Sequence, residues 1–204
     1  MELTLPEATT LVSQLQTAHR LSVGFYQRLL PLLNDITTAL DLDFWSWQPL
    51  HTNRPSQGGK SPSEKWAWDL LPMFASRHDF RNQQGEHAST GDMAAVFKIY
   101  LDDNFKPEKR KALSIRGEPD PLTMPIGKAL LELDLFWCKE KTSTSFSSLW
   151  EDADWPSDEN THWEDVGEHI SARRLTFELS ELIANPNSII SAVRAEWATA
   201  PKTK

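Results

Sequence analysis

The stretch Ala129-Leu130-Leu131-Glu132-Leu133-Asp134-Leu135-Phe136-Trp137 decides the fold class of this 204-residue chain. Side chains on an extended backbone alternate between two faces. Leu131, Leu133, Leu135 and Trp137 therefore share one face, and Glu132, Asp134 and Phe136 the other. That period of two predicts a strand. Ala95, Phe97, Ile99 and Leu101 alternate with Val96, Lys98 and Tyr100 in the same way and predict a second, ended by Asp102-Asp103-Asn104. Phe44-Trp45-Ser46-Trp47 and Trp66-Ala67-Trp68 read as two more extended segments, each with two indoles on one face. Strands that follow one another without intervening helices favour an antiparallel meander over a parallel sheet.

Helices flank this region. Thr4 and Glu7 have the spacing of a capping box, with Pro6 in the first turn, where its missing N–H costs nothing. Leu11, Leu15, Ala18, Ser22, Phe25, Leu29, Leu32, Ile36 and Leu40 then recur at helical period. Pro31 predicts a kink or a break near residues 27 to 31. The stripe suits burial against a sheet; a seam with a partner helix is the less common use. Near the C-terminus, Thr161 and Glu164 repeat the capping-box spacing and open a helix with Trp163, Val166 and Ile170 on one face. It is read through about Ala184, although Leu175, Phe177 and Leu179 alternate as a strand would. Asn185-Pro186-Asn187 breaks the chain before a last amphipathic helix, Ser188 to Trp197.

The expected architecture is α+β: a mainly antiparallel four- to five-stranded sheet packed by a long N-terminal helix and two C-terminal helices. It forms one domain over residues 1–204, with a helical segment at 1–41, a β-meander at 42–140, an acidic loop at 141–161 and C-terminal helices at 162–200. Residues 51–63 and 76–92 read as polar connections, and Lys106 to Arg116 as a short basic helix or turn.

Composition narrows the function. The net charge of −8 is uneven: residues 117–172 hold thirteen acids against Lys128, Lys139 and Lys141, whereas residues 51–116 carry a balance of +3. An acidic excess argues against coating nucleic acid, whose affinity comes from cationic contacts, and permits a basic partner. One cysteine, Cys138, excludes an intramolecular disulfide, and no run approaches the roughly 18 apolar residues of a membrane span. A cytoplasmic location follows from these signals. Nine tryptophans are many for this length, and Trp is seldom fully buried, so some are expected at the surface.

Three constellations carry chemistry. Asp120, Glu132 and Asp134 follow the order of metal-binding acids in restriction-type nucleases, but the lysine expected two positions after Glu132 is Asp134. Solvated acids meeting Lys98 across a neighbouring strand are the plainer reading. His162, Asp165 and His169, spaced i, i+3 and i+7 on the expected helix, have the ligand types of a zinc or iron site, on a face that reads as solvated. His78, Asp79, Glu86 and His87 fall in one polar connection. Gly58-Gly59-Lys60-Ser61 lacks the first glycine of a phosphate loop, since position 54 is Arg54. No cofactor or metal is expected.

The acidic stretch from Glu151 to Glu159 lies between Trp150 and Trp163. Carboxylates interleaved with indoles suit a basic protein surface, because charge steers the encounter and an aromatic anchor supplies binding energy. The first expectation is therefore a non-catalytic protein-binding module of inhibitor, immunity or adaptor type. Its site would be Trp150, Glu151, Asp152, Asp154, Trp155, Asp158, Glu159 and Trp163, with Arg54 and Lys60 on a second loop. The alternatives are a metal-dependent hydrolase or nuclease using Asp120, Glu132 and Asp134, and a small-ligand or single-stranded nucleic-acid binder. The last would stack its ligand on Trp45/Trp47 and Trp66/Trp68, beside Arg54, Lys60 and Lys65. The oligomeric state stays open.

Overall fold

A computed structural model describes residues 4–50, 75–83, 85–113, 124–158 and 161–201. The first element is a single helix, α1 (Leu5–Ala39). At its start the Thr4 N–H and hydroxyl both donate to the Glu7 carboxylate at 2.7 Å. Those bonds hold the Glu7 carboxyl below its ordinary range. Of the kink or break expected near residues 27 to 31, the break does not occur, and one helix runs through Pro31. Leu29, Leu33, Ile36 and Leu40 on either side are buried in the main core, and that packing outweighs the roughly 3 kcal/mol a proline costs inside a helix. Asp41, in the left-handed region at φ 57°, turns the chain out of the helix. A short polar side chain tolerates that conformation.

Six strands form one antiparallel sheet: β1 (Asp43–Pro49), β2 (Ala75–Asn82), β3 (Met93–Tyr100), β4 (Leu130–Cys138), β5 (Glu164–Asp165) and β6 (Ile170–Glu178). Their order is β1-β2-β3-β4-β6-β5, and every neighbouring pair is antiparallel. Between them lie the short helices α2 (Pro107–Ala112) and α3 (Phe146–Glu151). The chain closes with α4 (Leu179–Ala184) and α5 (Pro186–Ala198). This is the α+β architecture expected, with a long N-terminal helix and two C-terminal helices, but the sheet has six strands where four or five were expected.

Both faces of the sheet are covered. On one, Met93, Ala95, Phe97, Ile99, Leu131, Leu133 and Leu135 pack under α1, α4 and α5. On the other, Ala94, Val96, Phe136 and Ala172 meet Phe146 and Trp150 of α3, with Cys138 and Ile170 completing the cluster. α3 stands inside the expected 141–161 loop. Ser145 caps it by accepting from the Ser148 N–H at 3.2 Å, while Phe146 and Trp150, one turn apart, bury the same face.

Two expectations need correction. Residues 76–92 are not all connection, because Ala75–Asn82 is a strand registered residue by residue against β3. The helix expected from Thr161 is instead a hairpin. Glu164 and Asp165 pair with Ala172 and Ser171, and Gly167 sits in the turn, where its carbonyl accepts from the Ile170 N–H. Nine registered positions along β4 hold Ile170–Glu178 extended, so tertiary pairing overrides the local helical pattern. The segment expected to be helical throughout thus begins with two strands.

Candidate functional site

The functional candidates gather on the sheet face opposite α1. Register places Arg77, Lys98, Glu132 and Thr176 in one row across β2, β3, β4 and β6. Asp79, Val96, Asp134 and Arg174 form the next, joined by Ser46 of β1. Lys98 meets Glu132 and Asp134 meets Arg174 across strands, whereas Arg77 stands opposite the like-charged Lys98 and pairs with Asp79 on its own strand. The Asp134 side chain is completely buried, lies 2.8 Å from Lys98 Nζ, and accepts two bonds from Arg174 at 2.6 and 3.0 Å. Arg174 also reaches Asp158. Glu132 is paired with Lys106, whose ammonium sits 4.1 Å from the centre of the Tyr100 ring.

These partners set the protonation of the network. Burial pulls the Lys98 ammonium below its ordinary pKa despite the neighbouring Asp134. Burial also opposes the charge on Arg174, but the bonds and charge of Asp134 more than offset it and raise its pKa. Tyr100 is pushed up, first by burial and then by Glu132.

Tryptophans stand over this lattice. Lys98 Nζ is 3.7 Å from the centre of the Trp155 ring, and Arg77 lies over Trp155 at 4.9 Å and Trp150 at 5.6 Å. Arg81 covers Trp45 at 3.1 Å. Arg77 bonds Asp79 at 2.6 Å, and Asp79 accepts from the Ser46 hydroxyl at 2.9 Å. The result is a cleft of about 280 Å³. Trp45, Ser46, Arg77, Asp79, Phe136, Trp150, Glu151, Ala153 and Trp155 line it. Asp152 and Asp154, exposed on the same segment, have no ion-pair partner among the described residues.

A β-bulge builds this wall. The β1–β2 register shifts between Phe44 and Ser46, so Trp45 joins Ser46 on the cleft side. Phe44 and Trp47 line a separate groove on the α1 side with Leu30, Leu33, Asn34, His78 and Phe80. Trp45 and Trp47 are therefore not one stacking row, and the expected shared face is corrected. Trp66, Trp68, Arg54, Lys60, Lys65, Asp120 and Glu159 lie outside the described residues.

The remaining candidates separate. Trp163 belongs to the opposite face, where its ring meets Trp197 at 6.1 Å and its Nε1–H donates to Thr199 at 3.1 Å. It is not part of the acidic surface assigned to it. Asp158 is tied to Arg174 rather than offered to a partner. His162, Asp165 and His169 share no helix face, because they lie along the β5–β6 hairpin. Asp165 is held by Lys139 at 3.0 Å and by Ser171 at 2.7 Å, and His169 by Glu140 at 2.9 Å. Among the described residues no three such side chains converge on a metal position. His78 and Asp79, expected together in a loop, point to opposite faces of β2. His78 stacks on Trp47 and meets Ser76 at 3.1 Å, and burial pulls its pKa down.

Sequence reasoning missed Trp45, Ser46, Arg77 and Phe136 as parts of one cleft, and Arg81 as the cation over Trp45. The alternation of Arg77, Asp79 and Arg81 at every second residue was the available signal for β2 and for its charged face. Among the described residues no helix is long and apolar enough to cross a membrane. A family model described as PM0109 matches residues 6–203. No curated protein and no solved structure matches the chain.

Proposed function

The chain belongs to the PM0109 family, and we propose that it is a non-catalytic protein-binding module that receives a basic segment of another protein in the Trp45–Trp150–Trp155 cleft. One observation carries the reading. Trp155 is 46% exposed at the rim, yet its ring is fixed from below by Lys98 and Arg77. An exposed indole held in one orientation loses little freedom on binding, and Trp is among the residues enriched at binding hot spots. Glu151, Asp152 and Asp154 surround it with negative charge that draws a basic partner in. A cleft of about 280 Å³ suits one or two side chains of a protein segment. The inhibitor, immunity or adaptor character and the cytoplasmic setting belong to the same proposal.

The hydrolase alternative has weaker support. Glu132 and Asp134 spend their charge on Lys106, Lys98 and Arg174, so a cation would have to displace ammonium and guanidinium groups already in place.

The test is affinity capture of the tagged full chain from its native lysate at low and high salt, beside Trp155→Ala and Asp152→Ser/Asp154→Ser. Asp158 is left intact because it supports Arg174. A stoichiometric partner held by the parent protein, weakened by salt and lost from both variants, is expected. Equal capture by all three proteins would remove the cleft from the account.

A further inference from the structure

The N-terminal half of α1 carries apolar side chains that meet no core. Leu5, Leu11, Val12, Leu15, Leu21 and Val23 are all more than half exposed, from 54% at Leu11 to 80% at Leu5, and partial burial begins at Phe25. Yet the stripe is continuous. Ala8, Leu11, Leu15, Ala18, Ser22, Phe25 and Leu29 alternate at spacings of three and four, which keeps one helix face in line. Leu29, Leu33 and Ile36, on that face further along, are the residues buried in the core. The free half is also a weak helix in its own right, with Thr9, Thr10, Val12, Ser13 and Thr17 in its middle. Helical segments of such composition depend on packing for stability.

We propose that two copies of this chain pair antiparallel through Leu5–Gly24, about a two-fold axis near residue 13. The segment is complementary to itself in that orientation. Ala8 then faces Ala18 of the second copy, Leu11 faces Leu15, and Val12 lies beside its own equivalent near the axis. A parallel pair is blocked, because further along α1 the same face is covered by the sheet, α4 and α5, and two such bodies would collide at one level. In the antiparallel pair each body lies beyond the other helix's N-terminus. The charges fit as well: between Thr4 and Gly24 the only charged residues are Glu7 and Arg20, which cancel, and the acidic bodies stay at opposite ends. A segment roughly 30 Å long and about 10 Å wide gives a two-sided interface on the order of 600 Å². Stable specific interfaces start at roughly 1,200 Å², so this dimer is reversible and concentration-dependent.

Sedimentation equilibrium of the full chain over a wide concentration range tests the pairing. The expected mass rises from one chain towards two. Leu11→Asp/Leu15→Asp, which changes only exposed positions, should stay at one chain throughout with an unchanged near-ultraviolet dichroism spectrum. Under mild oxidation Val12→Cys should give a linked dimer and Leu5→Cys should not. A parent protein that stays monomeric at every concentration overturns the proposal, as does a dimer indifferent to the two aspartates. Preferential linking at Leu5 overturns the antiparallel arrangement. Monomeric binding to mixed phosphatidylcholine–phosphatidylglycerol vesicles through this helix would assign the stripe to a lipid surface instead.

Discussion

Replacing Asp134 with Asn tests the lattice beneath the cleft. The Asp134 carboxylate is fully buried and answers two cations, Lys98 at 2.8 Å and Arg174 at 2.6 and 3.0 Å, both themselves mostly covered. Asn keeps the shape and removes the charge. Lys98 and Arg174 then face each other in a region too dry to solvate them. Breaking a buried pair by removing one partner costs about 3–5 kcal/mol. That is a large share of the roughly 5–15 kcal/mol by which a domain is stable. With a urea slope of about 2 kcal/mol per molar, the unfolding midpoint should fall by about 2 M, read by tryptophan fluorescence at pH 7. Replacing all three partners, Lys98→Met/Asp134→Leu/Arg174→Met, should recover most of the loss, because well-packed apolar groups of similar volume are often neutral substitutes for buried ions. A loss below about 1 kcal/mol in Asp134→Asn would refute the argument, since that is the range of solvent-screened surface pairs.

Three further outcomes are expected. His78 is buried and its pKa is lowered, chiefly by desolvation, so the unfolded chain takes up a proton that the folded chain refuses. Stability should therefore be constant above the unfolded value of about 6.5 and fall as pH drops below it, a slope that His78→Gln removes in urea titrations compared pairwise. Cys138 is fully buried, donates its S–H to the Glu140 carbonyl, and has its thiol pKa raised by burial. It should react with Ellman's reagent at the rate of unfolding, and prompt reaction of the native protein would contradict its placement. A Cβ at Gly127 would overlap the carboxylate oxygens of Asp102 and Asp103, which accept the N–H groups of Gly127 and Lys128. Gly127→Ala should cost about 1–3 kcal/mol in the same unfolding assay.

Much of the fold was legible because it rests on strong periodicity. Leu131, Leu133 and Leu135 alternate without interruption, and the stripe on α1 keeps its period through Pro31. β2 was hidden because Ser76, Arg77, His78, Asp79 and Arg81 are polar and show no apolar alternation, and the strand gains its order from partners on both sides. β6 was hidden by a local conflict: Thr161 and Glu164 offered a helix start, while the pairing with β4 that overrides it lies some forty residues away in sequence. The candidate site was legible in part. Trp150, Glu151 and Trp155 do meet at one cleft, but Trp163 faces the other side of the sheet and Asp158 is bound to Arg174. The bulge that swings Trp45 into the same cleft leaves no mark in a two-residue repeat, because one inserted position reverses the face of every residue after it.

Calorimetric titration of the captured partner into the parent protein and into Trp155→Ala tests the binding reading most directly. A hot-spot indole contributes about 2 kcal/mol or more, so the variant should bind roughly thirtyfold more weakly while remaining folded under the titration conditions. Equal affinity of the two proteins for that partner would contradict the account and place the binding surface elsewhere on the chain.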